Sequence, residues 1–146
     1  MTLIALALTV VLTFVAGLHV YWGIGGVWPG TDQRSLARAV VGFRGVDATP
    51  SPTACFAVAA CLVLAALWPA ALAGLFASPF QLAGLVAGAV MLALVFLARG
   101  IAGFTPAWRR LTPEEPFATN DRRFFSPLCL ALGAGFLVLA FERALS

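Results

Sequence analysis

Four apolar stretches, each near the roughly 20 residues needed to cross a hydrocarbon core, constrain this chain more than any other feature. They run from about Thr2 to Ile24, Thr53 to Phe76, Pro79 to Ala98 and Pro127 to Phe141. Backbone polar groups in lipid must be bonded within their own segment, so each stretch is predicted to be a helix. Alternating, turn-punctuated strands are missing, which excludes a β-barrel. Of the 146 residues 62% are hydrophobic and 10% charged, against about 25% charged in an ordinary soluble domain. So few polar side chains cannot cover a water-exposed globule. Soluble enzymes, disordered regulators and disulfide-stapled secreted modules all fit poorly. The expectation is one all-α domain over residues 1–146, an integral membrane four-helix bundle with two longer polar loops on one face.

Punctuation refines the spans. Trp68-Pro69 is expected to kink the second helix, and Arg99 to close the third. Ser126 is expected to cap the fourth, with Pro127 at its first helical position. The first stretch has neither a basic residue before its apolar run nor a small-residue cleavage site, so it is read as a retained helix and not a signal peptide. Within the first loop, Thr31 to Phe43 is predicted to form a short amphipathic helix at the headgroups, Leu36 and Val40 on one side and Arg34 and Arg38 on another. Thr112-Pro113-Glu114-Glu115 resembles a capping box that Pro116 stops after one turn. Gly84-x-x-x-Gly88 and Ala131-x-x-x-Gly135 are expected to let helices approach closely inside the bundle.

Alternation of four helices puts the loops Gly25–Pro52 and Arg99–Phe125 on one face. That face carries eight of the nine basic residues, all of them arginines: Arg34, Arg38, Arg44, Arg99, Arg109, Arg110, Arg122 and Arg123. Arg143 alone lies opposite. The positive-inside rule makes both long loops cytoplasmic and both termini external. No basic run is interleaved with aromatics, so nucleic acid is not an expected partner.

Chemistry-bearing residues gather on the same face. His19, the only histidine, lies near the loop end of the first helix; Cys55, Arg99 and Cys129 are expected at a similar depth on the other three. Ionisable groups at membrane depth are costly and mark candidate sites. Trp22, three residues after His19, is predicted to flank it at the bundle mouth, while Tyr21 points to lipid or another helix. An aromatic belt is the plainer account of Tyr21 and Trp22, and packing of the three cysteines. A His19, Cys55 and Cys129 metal site requires convergence that spacing alone does not establish. No cofactor is otherwise expected.

Two blocks carry a family resemblance: His19-x-Tyr21-Trp22-x-x-Gly25-Gly26 and Asp121-Arg122-x-Phe124-Phe125-Ser126-Pro127-Leu128-Cys129-Leu130. With Arg99 followed by Phe104, and Pro116-Phe117 before Asp121, the chain resembles, over nearly its whole length, the small bacterial membrane proteins called domain of unknown function 3995. That resemblance implies a four-helix membrane fold and brings no activity. Where the family often has an acidic residue before the aromatic after the third-helix arginine, this chain has Gly103, which leaves Arg99 without a local ion-pair partner. Asp121 is then expected either to lock the fold by accepting from Arg44, Arg99 or Arg122, or to join a ligand site.

The resulting functional expectation is a non-enzymatic membrane module. It would use His19, Trp22, Arg44, Arg99, Asp121 and Arg122 to hold an anionic small molecule, a lipid headgroup or a membrane protein partner. The alternative is a membrane redox or metal-dependent enzyme using His19 with Cys129 or Cys55. A transporter ranks third, because no intramembrane carboxylate is present for ion coupling.

Overall fold

In the computed structural model, which describes residues 2–145, all regular structure is helical. The elements are α1 (Thr2–Gly23), α2 (Gln33–Val40), α3 (Pro52–Leu72), α4 (Leu82–Ala102), α5 (Pro106–Leu111), α6 (Phe117–Asn120), a π-helical turn (Asp121–Phe125) and α7 (Ser126–Leu145). The long helices α1, α3 and α4, and the continuous run Phe117–Leu145, are long and apolar enough to cross a membrane. Helices of 21 or 22 residues, at about 1.5 Å per residue, match a hydrocarbon core of roughly 30 Å. Their outer faces keep Leu3, Phe14, Leu64, Val95 and Phe141 exposed, the pattern of a multi-pass membrane protein.

The helices pack antiparallel in two pairs, α1 with α3 and α4 with α7, joined by the tight α3–α4 turn. Gly74, at φ +70°, ends α3 earlier than Phe76: its N–H bonds Ala71 O, and the Leu75 N–H bonds Ala70 O. A left-handed glycine with these two bonds is a Schellman stop. Thr9 Oγ1 donates to Ala66 O at 2.9 Å and ties α1 to α3. Between α4 and α7, Leu97 sits over Gly133 and Leu130 over Gly100, a reciprocal knob and hole that an added Cβ would block. Close approach therefore uses Gly100 and Gly133. Of the anticipated small-residue motifs, Gly88 holds the Trp68 ring and Gly135 faces Leu8, while Gly84 and Ala131 lie exposed. The dense core, with Leu12, Leu72, Phe136 and Leu139 fully buried, fills the half of the molecule away from the long loops.

Three boundaries differ from the sequence reading. First, α4 continues through Arg99 to Ala102, so the arginine stands within the helix instead of ending it. Second, the fourth span begins at Phe117, and Ser126 is an interior residue and not its cap. The ring of Pro127 bars a regular bond to the fourth preceding carbonyl; one turn earlier the helix widens, and the Ser126 N–H reaches back five residues to Asp121 O. Third, Thr112 starts no helix. Its hydroxyl donates back to Trp108 O, and the Glu115 carboxylate caps the Thr119 N–H beyond Pro116.

The loops dock on each other across the two helix pairs. Asp32 and Ser35 form a reciprocal capping box that starts α2, and α2 packs on α6 with Leu36 and Ala37 fully buried. Its apolar side is thus covered by the protein's own loops and not by headgroups. The Glu114 N–H bonds Gly42 O and the Arg44 N–H bonds Leu111 O. Gly42 has φ +70°, and any Cβ there would strike the Phe117 ring. The exposed pair Arg34–Asp47 (2.9 Å) and the half-buried pair Arg38–Glu114 (3.4 Å) add little.

Two outcomes follow for this lid. Gly42→Ala should loosen it by at least the roughly 1–2 kcal/mol of a left-handed non-glycine, and hydrogen exchange of α2 amides should accelerate accordingly. The Ser35 N–H, 2.7 Å from its carboxylate, holds Asp32 below the usual aspartate range. A lowered folded value stabilises above the unfolded pKa and is lost as pH falls through the folded one. Protection of α2 should persist down to about pH 3.9 and decline below it, and Asp32→Ala should flatten that dependence.

Candidate functional site

The polar centre of the loop end is Asp121, which is fully buried. Its carboxylate accepts three bonds. Arg99 Nη2 reaches Oδ1 at 2.6 Å, Ser126 Oγ reaches Oδ1 at 3.2 Å, and Trp108 Nε1 reaches Oδ2 at 2.9 Å. Arg99 also points Nη1 at Ser126 Oγ, 3.4 Å away, and lies over the Trp108 ring, 4.7 Å from its centroid. A buried carboxylate needs such donors, because an uncompensated charge at this depth is strongly destabilising.

Each element of the cluster has a local cause. Residues five apart lie on different faces of an α-helix, but the π-helical turn brings Asp121 and Ser126 together. Thr105 caps α5 by accepting from the Trp108 N–H, with Pro106 at the first helical position, and this aims the indole. Gly103 closes α4 so tightly against Ser126 and Asp121 that any side chain would collide. Gly103 thus makes room for a distant acid, Asp121, to serve Arg99. Arg109 Nη1 donates to Ala118 O at 2.6 Å and holds α5 against α6.

Beside this cluster lies a cavity of about 560 Å³ between α1 and α7. His19, Trp22, Arg99 and Cys129 line it together with apolar residues that include Phe96, Phe117 and Phe125. Exposed Val10 and Phe14 on α1, with Phe124 and Leu128 opposite, form its rim, so it opens sideways between the two helices. Val40 of α2 and Phe117 at the start of the fourth span close the loop end. His19 Nδ1 lies 2.9 Å from Val15 O; a carbonyl only accepts, so Nδ1 donates and Nε2 is the ring's remaining position. Trp22 meets the His19 ring edge-on at 5.0 Å and donates Nε1 to Trp28 O. Tyr21 does not line the cavity and packs instead on Gly26, as the angular spacing required.

The predicted residues are therefore partly assembled. His19, Trp22 and Arg99 share the cavity, and Asp121 stands behind Arg99. Arg44 and Arg122 do not reach Asp121: both are exposed at the loop end, where long charged side chains keep their heads in water. The candidate metal set is not brought together. Cys55 joins His19 around a separate space of about 80 Å³, Cys129 lines the larger cavity, and no three His, Cys, Asp or Glu side chains converge among the described residues. Trp108 was missed. The Thr105-Pro106 helix start, followed by an indole that needs an acceptor when buried, was its signal.

Asp121→Asn should lower stability by about 3 kcal/mol, the low end for a broken buried pair, because the Arg99 side chain is 31% exposed. The double change Arg99→Leu with Asp121→Leu should recover more than half of that loss. Thermal unfolding in detergent measures both; an unchanged midpoint for Asp121→Asn would remove the cluster from the fold's supports.

No curated protein and no solved structure matches the chain. A family model described as a protein of unknown function, DUF3995, matches residues 12–136. The matched stretch spans from the buried Leu12 of α1 to the buried Phe136 of α7 and contains the whole Asp121 cluster. With most of its length matched, the chain belongs to the DUF3995 family of unknown function.

Proposed function

We propose that this protein is a non-enzymatic membrane module, a four-helix transmembrane bundle that takes a membrane-dissolved molecule into the α1–α7 cavity and fixes its polar end at Arg99. One observation carries the reading: among the described residues, Arg99 is the one Arg, Asp or Glu on a wall that is otherwise largely apolar. About 560 Å³ falls inside the roughly 300–1,000 Å³ of sites that enclose small molecules, which are mostly apolar with a few fixed polar groups. The sideways opening favours access from lipid over access from water. Exposed Arg44 and Arg122 complement this by meeting anionic headgroups at the loop end. The eight-to-one arginine asymmetry supports cytoplasmic loops and external termini in a bacterial inner membrane.

Cys129→Trp should fill the cavity without disturbing the Asp121 cluster. Native mass spectrometry of the wild type should detect a copurified lipid-phase molecule that the variant lacks, with helicity retained. The same bound mass in both proteins would overturn the reading. For orientation, single cysteines placed in residues 104–115 of a cysteine-free variant should resist an impermeant thiol reagent applied to intact cells. Labelling there would reverse the topology.

A further inference from the structure

The cavity's polar end is unusual in its charge balance, and that balance selects among ligands. Arg99 is already paired with the Asp121 carboxylate at 2.6 Å, and no second arginine lines the cavity among the described residues. A carboxylate or phosphate head would add a second anion beside an already paired guanidinium in a largely apolar site, which is expensive. A neutral carbonyl oxygen carries no such penalty. It would still gain a charge-assisted bond from a guanidinium that donates to Asp121 and, at 3.4 Å, to Ser126.

The wall beside Arg99 selects further. Trp22, Phe96, Phe117 and Phe125 supply ring faces and edges, which suit a flat conjugated ring more than a saturated chain, because aromatic contacts add to plain area burial. His19, with Nδ1 committed to Val15 O, offers Nε2 as a second polar contact. The rim of Val10, Phe14, Phe124 and Leu128 gives an apolar exit for a tail toward the lipid.

We propose that the α1–α7 cavity binds the uncharged carbonyl-bearing ring of an isoprenoid quinone, one carbonyl oxygen accepting from Arg99 and the tail leaving between α1 and α7. This inference rests on the cavity being a ligand site and specifies what fills it. The test uses purified protein in nanodiscs of uncharged lipid, exposed to equal amounts of decylubiquinone, palmitate or geranylgeraniol and read by native mass spectrometry. Decylubiquinone should give a one-to-one adduct at least tenfold more abundant than either competitor. Cys129→Trp should abolish that adduct, and the charge-neutral double variant Arg99→Leu, Asp121→Leu should weaken it at least tenfold. Palmitate or geranylgeraniol retained as well as the quinone, or better, would overturn the quinone assignment and leave the cavity a lipid site. No probe bound above the Cys129→Trp background would overturn the assignment and the ligand-site reading together. The wild-type selectivity stands as a readout even if either variant fails to fold.

Discussion

The loop half of this protein depends on one buried carboxylate. Asp121 receives donors from α4, from α5 and from its own widened helix, so three elements meet at two oxygen atoms. Each donor arrives by a separate local device: a helix that runs on past Arg99, a Thr-Pro start that aims Trp108, and a π-helical turn that aligns Ser126. Gly103 then removes the steric obstacle between them. Hydrogen bonds of this kind in a low-dielectric setting reinforce one another, and a partly satisfied network would be worse than an apolar core.

The two halves of the molecule solve different problems. Away from the long loops, alanine and leucine interdigitate around Phe136, which stacks on Phe96 with ring centroids 6.0 Å apart. Toward the loops, the α1–α3 and α4–α7 pairs separate and leave the cavity, bridged by the docked loops and not by helix contacts. The glycine-mediated contact brings α4 and α7 close together. The space beside it lies between that pair and α1.

The spans were legible because lipid imposes length and apolarity on any segment that crosses it, and the four stretches met both demands. Local punctuation was less reliable. Ser126-Pro127 has every mark of a helix start, yet the helix begins nine residues earlier, at Phe117; the proline is accommodated by a wider turn, which no local pattern announces. Arg99 resembles a helix end for the same reason, since a charge after an apolar run looks terminal whether or not the helix continues. Asp121 and its candidate partners were recognised from the charges. Choosing Arg99 over Arg44 and Arg122 required knowing which helices are neighbours. The angular spacing of one helix separates His19 and Trp22, which line the cavity, from Tyr21, although it does not announce that Tyr21 packs on Gly26. Trp108 was overlooked because its role is tertiary: the acceptor it serves lies 13 residues away on another element.

The pairing of Arg99 with Asp121 also bears on how the chain enters its membrane. The two residues lie on consecutive spans, 22 positions apart, so the arginine is synthesised well before the acid that neutralises it. Placed within one turn of the loop end of α4, it can keep its guanidinium in the headgroup layer during that interval. Only when the following span arrives does the charge acquire its counterpart, and the Arg99–Asp121 pair then settles without net charge. The order of synthesis and the depth of the charge are thus matched: the arginine waits at the water boundary until its partner is delivered.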